Sequence, residues 1–196
     1  MARRRWAWAG VVVLLAVGMY RFAAGDRLSA LSAAAVVVGS KFQEFGVVRY
    51  RWGEVLLLQT PEGPRTEMVT RQGLLWRDAA NAIFPFKHRG PIQTVAWMGA
   101  NLPRGATTVI AVRVSDPAIA YVAAGPPSRR RTRPVAVGKP LIFTWNQSWF
   151  PFQVNLTALS KSGRPLYRYA AQEHRTLSGG IVATGLYQWY PIHAHR

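Results

Sequence analysis

"VVRYRWGEVLLLQT", residues 47–60, is where the chain changes from helical to β patterning. Its first half alternates apolar and polar residues, as a half-buried strand does. Its second half holds a continuous apolar run at 55–58, which is typical of a strand covered on both faces. The stretch therefore predicts two neighbouring strands and indicates that the following domain is built on sheets.

The pattern continues towards the C-terminus. Turn signals at 61–64 ("PEGP"), 101–105 ("NLPRG") and 116–117 ("DP") separate apolar stretches of strand length. They predict about seven to nine short strands, a number that favours an antiparallel β-sandwich or open barrel. We predict a mainly β domain over 41–170. The remaining tail, 171–196, is aromatic and Gly-rich without a clear period, so no secondary structure is assigned to it.

Towards the N-terminus, "DRLSALSAAAVVVG" predicts a short helix within a connector at 26–40. Asp26 or Ser29 is suited to cap its start, and Gly39 to end it. A second membrane span is the rival interpretation. The apolar stretch 28–39 holds only 12 residues, whereas a membrane span needs roughly 20.

The first 25 residues predict a transmembrane helix. Three arginines precede the uncharged run 6–20, and continuing the helix to residue 25 gives the length needed to cross a bilayer. The arginines place the N-terminus in the cytoplasm by the positive-inside rule. Interfacial aromatic and basic side chains complete the predicted anchor: Trp6, Trp8, Tyr20 and Arg21.

Two alternatives for this segment remain open. The triplet Ala23-Ala24-Gly25 before Asp26 fits a cleaved signal peptide, and the run also fits a core helix of a soluble protein. An anchor makes this a single-pass protein of the cell membrane, and a cleaved signal makes it a secreted one. In both of these cases residues 26–196 lie outside the cytoplasmic membrane.

The composition of the chain excludes some kinds of functional site and favours anionic partners. The chain has 25 basic residues against 8 acidic ones, a net charge of +17, and no cysteine. The lack of cysteine excludes disulfides, thiolate nucleophiles and cysteine metal sites. A basic surface attracts polyanions, although the arginine bias also fits a GC-rich genome and a surface with no dedicated partner.

One charge cluster, "RRRTR" (129–133), lies between prolines on a predicted loop. Guanidinium groups in such a cluster bind phosphates or anionic headgroups. The candidate polyanion-binding residues are Arg129, Arg130, Arg131 and Arg133. A solvated loop without a ligand is the alternative. Nearby aromatics offer base stacking, but their pattern is more typical of core residues: Trp145, Trp149, Phe150 and Phe152.

No catalytic or metal-binding motif is present in the sequence. Glu54 and Glu67 fall on neighbouring predicted strands and are the one candidate acid/base pair, although two surface strand residues fit the pattern as well. His193 and His195 lack acidic neighbours and make a poor metal site. We therefore predict no catalytic residue, no metal and no cofactor.

The layout resembles that of small membrane-anchored proteins of Gram-positive spore-forming bacteria, which carry a β-rich outer domain. The resemblance rests on "LSALSAAAVVVG", "EVLLLQTPEGPRTEMVTRQGLLWR", "VIAVRVSDPAIAYVAAG" and "ALSKSGRPLYRY". It covers about 28–169 in strand spacing. It implies an anchored extracytoplasmic domain, and supplies no activity and no functional residues to transfer.

Taken together, these features predict a noncatalytic, membrane-anchored binding module outside the cytoplasm. Its expected partners are membrane lipid, an anionic wall polymer or a membrane protein. One alternative is an envelope enzyme that acts on wall polymer through Glu54 and Glu67. Another is a basic nucleic-acid-binding protein, which ranks behind the others because no nucleic-acid-binding fold signature is present.

Overall fold

A computed structural model of the chain describes residues 2–83, 90–175 and 181–192, with side chains at 11–82, 90–171 and 187–192. The chain divides into two compact units. The first consists of 1–61 and 67–81, and the second of 62–66 and 82–196.

Two helices and a four-stranded sheet make up most of the first unit. The helices are α1 (Ala2–Ala23) and α2 (Ala30–Val38). The strands are β1 (Gln43–Tyr50), β2 (Gly53–Thr60), β3 (Gly63–Gln72) and β4 (Leu75–Ile83). They lie in the order β1-β2-β3-β4, so each strand pairs with its neighbour in sequence. The two strands predicted from 47–60 are β1 and β2.

Helix α2 packs on this sheet through its alanines. Ala33 and Ala34 are fully buried against a cluster that includes Leu56, Leu58 and Val69. Small side chains let the helix backbone approach the strands closely. The apolar run 55–58 in β2 is fully buried, and α2 covers the face that carries Leu56 and Leu58.

The ends of α2 are fixed by local chemistry. Ser29 is the N-cap, and its hydroxyl and that of Ser32 accept each other's backbone N–H in a capping box. At the other end Gly39 has φ +83°, a conformation that glycine adopts without a steric penalty. Asp26, the other predicted cap, has a different role described below.

The second unit contains the remaining elements. Its strands are β5 (Ile92–Leu102), β6 (Gly105–Val114), β7 (Tyr121–Ala124), β8 (Arg131–Pro134), β9 (Pro140–Trp145), β10 (Thr157–Leu159), β11 (Pro165–Arg175) and β12 (Ile181–Pro191), with a short helix α3 (Pro151–Val154). They form one sheet of order β12-β11-β10-β7-β8 and another of order β5-β6-β9. The predicted mainly β fold with antiparallel sheets is confirmed.

Both sheets of the second unit contribute to one apolar core. Ile110 and Phe143 come from the three-stranded sheet, and Val122 and Ala158 from the five-stranded sheet. At one side of this core the indole N–H of Trp189 donates to the Thr94 hydroxyl at 3.1 Å, which links β12 to β5. The strand β12 therefore extends a sheet into the tail that the sequence left unassigned.

The structure differs from the prediction of a transmembrane anchor. Helix α1 is formed, but among the described residues no helix has both the length and the apolarity to cross a membrane. The side chains of Trp6 and Trp8 lie outside the described residues. Tyr20 is exposed. Arg21 was predicted to reach lipid headgroups, and it instead binds within the protein.

Arg21 belongs to a buried ionic cluster around Asp26. The Asp26 carboxylate is 1% exposed and accepts from Arg21 Nε and Arg77 Nε, each at 2.6 Å. Beside it, Arg27 and Trp76 exchange two backbone hydrogen bonds. The cluster therefore ties the end of α1 to β4, because one carboxylate satisfies a guanidinium from each.

Burial on its own raises the pKa of Asp26. Hydrogen bonds from Arg77 and Arg21, together with their charges, outweigh burial and hold the pKa below its usual value. A carboxyl whose pKa is lowered by folding stabilises the fold above its unfolded pKa, and that stabilisation is lost as the pH falls through the folded pKa.

Replacing Asp26 with Asn tests this cluster. Asn keeps the size of the side chain but leaves two guanidiniums without their anion. Because both guanidiniums stay partly solvated, we expect the free energy of unfolding to fall by about 1 to 2 kcal/mol. Denaturant unfolding of the full-length chain at neutral pH measures it, and the deficit should shrink in acid.

The matched control is Glu54→Gln. Glu54 pairs with the exposed Arg49 at 3.3 Å, and loss of such a surface pair changes stability by about 0.5 kcal/mol or less. Equal effects of the two substitutions would contradict a stabilising role for the Asp26 cluster.

Candidate anion-binding site

The arginine cluster lies on the edge strand β8 and the turn before it. Pro127–Arg129 forms a 3-10 turn. Gly125 precedes it with φ +112°, and a side-chain carbon there would lie 2.6 Å from the Arg129 carbonyl oxygen. Only glycine fits this close approach, so the local sequence folds the loop back tightly and presents the arginines on its outer side.

Two of the arginines connect β8 to the edge of the other sheet. Arg131 Nη1 donates to the Thr144 carbonyl at 2.8 Å, and Arg133 Nη1 donates to the Ile142 carbonyl. Alternate residues of a strand point the same way, so Arg131 and Arg133 reach β9 together. Both guanidiniums are thereby held in place by backbone acceptors.

The other two arginines are positioned differently. Arg130 donates to the Asn155 carbonyl at 3.2 Å and to the Thr157 hydroxyl at 3.0 Å. The Arg129 carbonyl accepts from the Trp145 indole at 3.4 Å, while the Arg129 side chain is exposed. The loop is thus anchored from both sides, and all four side chains remain accessible to solvent.

Three of these four arginines border a pocket of about 460 Å³. Its lining is Arg129, Arg130, Arg131, Thr144, Trp145 and Asn146. The Arg131 guanidinium lies 5.6 Å from the Trp145 ring centre, within cation–π range. Within the described part of the chain, none of the four arginines forms an ion pair with a carboxylate. The pocket is therefore strongly electropositive.

Sequence reasoning found the arginines but missed other members of the pocket. Thr144 and Asn146 belong to or follow β9, which lies in the other sheet. Strand patterning gives no signal that β9 lies beside β8. The proximity of two strands in different sheets depends on packing, which no local pattern encodes.

The structure places the candidate acid/base pair in two separate interactions. Glu54 pairs with Arg49, whereas Glu67 is fully buried and lies beside Asp78. His88, His193 and His195 lie outside the described residues. Among the residues described, no group of His, Asp or Glu is arranged to hold a metal ion.

The carboxyl group of Asp78 couples the stability of the fold to pH. Burial raises its pKa, and its interactions with Glu67 and the Ala79 backbone offset only part of this. The folded state therefore holds the Asp78 proton more tightly than the unfolded chain. Its contribution to stability is largest in acid and is lost as the pH rises through the folded pKa.

We compared the chain with models of protein families, with curated proteins and with solved structures. No significant match was found in any of the three.

Asp78→Asn tests the buried carboxyl. Asn removes the charge that burial disfavours, so the substitution should help more at neutral pH than in acid. We expect the change in Tm relative to the unaltered chain to be roughly 2 to 4 °C more favourable at about pH 7.5 than at about pH 4. Thermal unfolding followed by circular dichroism measures it.

Glu62→Gln is the control, because Glu62 lies exposed in the turn between β2 and β3. A pH-independent effect of Asp78→Asn, matching that of Glu62→Gln, would show that the Asp78 proton is not coupled to folding.

Proposed function

We propose that this chain is a noncatalytic binding module that holds a phosphate-bearing anion at the β8 pocket. The observation that carries the proposal is the convergence of three exposed arginines, Arg129, Arg130 and Arg131, around a pocket, with no carboxylate partner among the described residues. Expected sources of such an anion are envelope polymers and lipid headgroups.

The hydrogen bonds within the site support binding rather than mere solvation. A guanidinium has five N–H donors, and the protein carbonyls use one donor each of Arg131 and Arg133. The remaining donors are free for a ligand whose oxygens match their fork geometry. Because the groups are already held in place, binding an anion costs less side-chain entropy.

We also propose that α1 attaches the chain to a membrane, with the N-terminus in the cytoplasm and the rest of the chain outside. The support is its surface from Val11 onward, where large apolar side chains are exposed around the helix: Val12, Val13, Leu14, Leu15, Met19 and Phe22. A helix that is apolar all round requires apolar surroundings.

The Asp26 cluster favours retention of the first 25 residues over their removal as a signal peptide. Cleavage before Asp26 would take away Arg21 and leave the buried carboxylate with Arg77 alone. For the second unit, we propose an antiparallel β-sandwich or open barrel, supported by the core shared between its two sheets.

A noncatalytic role is supported by the separation of Glu54 and Glu67 into different interactions. A wall-polymer enzyme would require both carboxylates to act on one substrate. Nothing in the geometry favours a nucleic acid over other polyanions. The binding test below therefore compares an oligonucleotide with polyphosphate.

Polyphosphate binding tests the proposed site. Arg129→Glu reverses one charge at a side chain that makes no hydrogen bond in the described structure, so it should leave the fold intact. Because it turns attraction into repulsion within the pocket, we expect affinity for polyphosphate to fall about tenfold at low salt, and less at high salt. Titration of the full-length chain in detergent measures it.

The matched control is Arg164→Glu, which reverses the charge of an exposed arginine before β11. Equal losses for the two variants would show nonspecific attraction by net charge and overturn the site. Tighter binding of a single-stranded oligonucleotide than of polyphosphate with the same charge would favour the nucleic-acid alternative.

The proposed topology is tested separately by proteolysis of intact protoplasts that express the chain with a C-terminal tag. We expect full-length, membrane-bound protein whose tag is removed by external protease, because the chain after α1 lies outside. A soluble or protease-protected tag would overturn the proposed attachment and location.

A further inference from the structure

A pair of phenylalanines projects from the second unit beside the arginines. Phe150 and Phe152 are 66% and 64% exposed. Their rings lie parallel, 5.7 Å apart between centres and 4° apart in orientation. Two large apolar rings held together in solvent form a small exposed apolar patch, which we call the Phe150–Phe152 pair.

The neighbouring residues fix the pair in this position. Trp149 and Val154, on either side of it, pack into the core of the second unit. Between them Pro151 begins α3, and the Phe150 backbone N–H donates to Gln153 Oε1 at 2.8 Å. Both ends of the segment are therefore held inward, and the two rings are held outward.

The pair adjoins the anion pocket at both ends of its segment. Trp149 lies 5.2 Å from Trp145, whose ring is contacted by Arg131. At the other end, Arg130 donates to the carbonyl of Asn155, the residue that follows α3. Two arginines that line the pocket thus reach the ends of the segment that carries the pair, Arg130 directly and Arg131 through Trp145.

We propose that the Phe150–Phe152 pair and the arginines of the β8 pocket form one docking surface for an anionic lipid bilayer. The rings enter the boundary between headgroups and acyl chains, and the guanidiniums bind lipid phosphates. This inference rests on the anion-binding role proposed above and adds an apolar component to it.

Charge and apolarity together favour a lipid surface over other polyanions. A soluble phosphate polymer offers no apolar phase for two exposed rings, whereas the membrane interface accepts aromatic side chains next to basic ones. Nucleic acid would use the rings for base stacking, and the oligonucleotide comparison given above distinguishes it from lipid.

The lack of cysteine makes a direct test simple. Phe152→Cys in the full-length chain is labelled with an environment-sensitive fluorophore and reconstituted into vesicles. One set is phosphatidylcholine alone, and in the other a third of the lipid is phosphatidylglycerol. We expect a blue-shifted emission and about threefold higher intensity in the anionic vesicles, because the probe leaves water.

Leu74→Cys, labelled in the same way, is the matched control. Leu74 is an exposed apolar residue in the turn between β3 and β4, and its probe should report the same environment in both vesicles. Adding Arg129→Glu to Phe152→Cys should abolish most of the lipid response, whereas adding Arg164→Glu should leave it.

Each contrary result has a defined meaning. An unchanged Phe152 probe in anionic vesicles, with polyphosphate binding still dependent on Arg129, overturns the docking surface and leaves the anion site standing. Equal responses at positions 152 and 74 indicate adsorption without a specific surface and overturn it too. If Arg129→Glu binds polyphosphate as well as the unaltered chain does, the anion site itself is overturned.

Discussion

Backbone carbonyl groups at a sheet edge need hydrogen-bond donors, and in the second unit Arg131 and Arg133 supply them to β9. The two side chains extend from β8 in the five-stranded sheet to the edge of the three-stranded sheet. An edge that would otherwise remain open is thereby covered, and the two sheets are held beside each other where they share a core. The position of the pocket follows from this arrangement, because it lies where the guanidiniums cross between the edges.

The same arginines connect stability to binding. A guanidinium that donates to one carbonyl is fixed in direction but keeps donors and a full charge. In the described residues these arginines have no carboxylate partners, so their charge is left for an external anion. Asp26 shows the opposite use of arginine, since its carboxylate is enclosed by Arg21 and Arg77 and nothing remains to bind a ligand. Charge balance therefore distinguishes a structural cluster from a candidate site within one chain.

Local chemistry made several features predictable. The pattern at 47–60 indicated adjacent strands, and Ser29 and Gly39 matched the ends of α2. The loop predicted at "RRRTR" is wrong in part, because Arg131–Pro134 forms the edge strand β8, although its arginines are exposed. Other features depended on distant contacts. Arg21 was predicted to reach lipid because the burial of its partner Asp26 depends on the fold, in which Arg77, 51 positions from Asp26, binds the same carboxylate. Strand β12 was not assigned from the sequence, because its pairing with β11 and the contact of Trp189 with Thr94 are made between separate parts of the chain.

By itself, the sequence determined the β-rich fold class, the short helix, the excess of positive charge and the absence of cysteine chemistry. These properties follow from residue identity and short-range periodicity, which do not depend on how sheets pack. Only the tertiary structure decided that Glu67 meets Asp78, that β8 lies beside β9, and that the Phe150–Phe152 pair adjoins the arginines. Such juxtapositions arise when separate elements bury apolar surface together, so the partner of each polar side chain is chosen by packing.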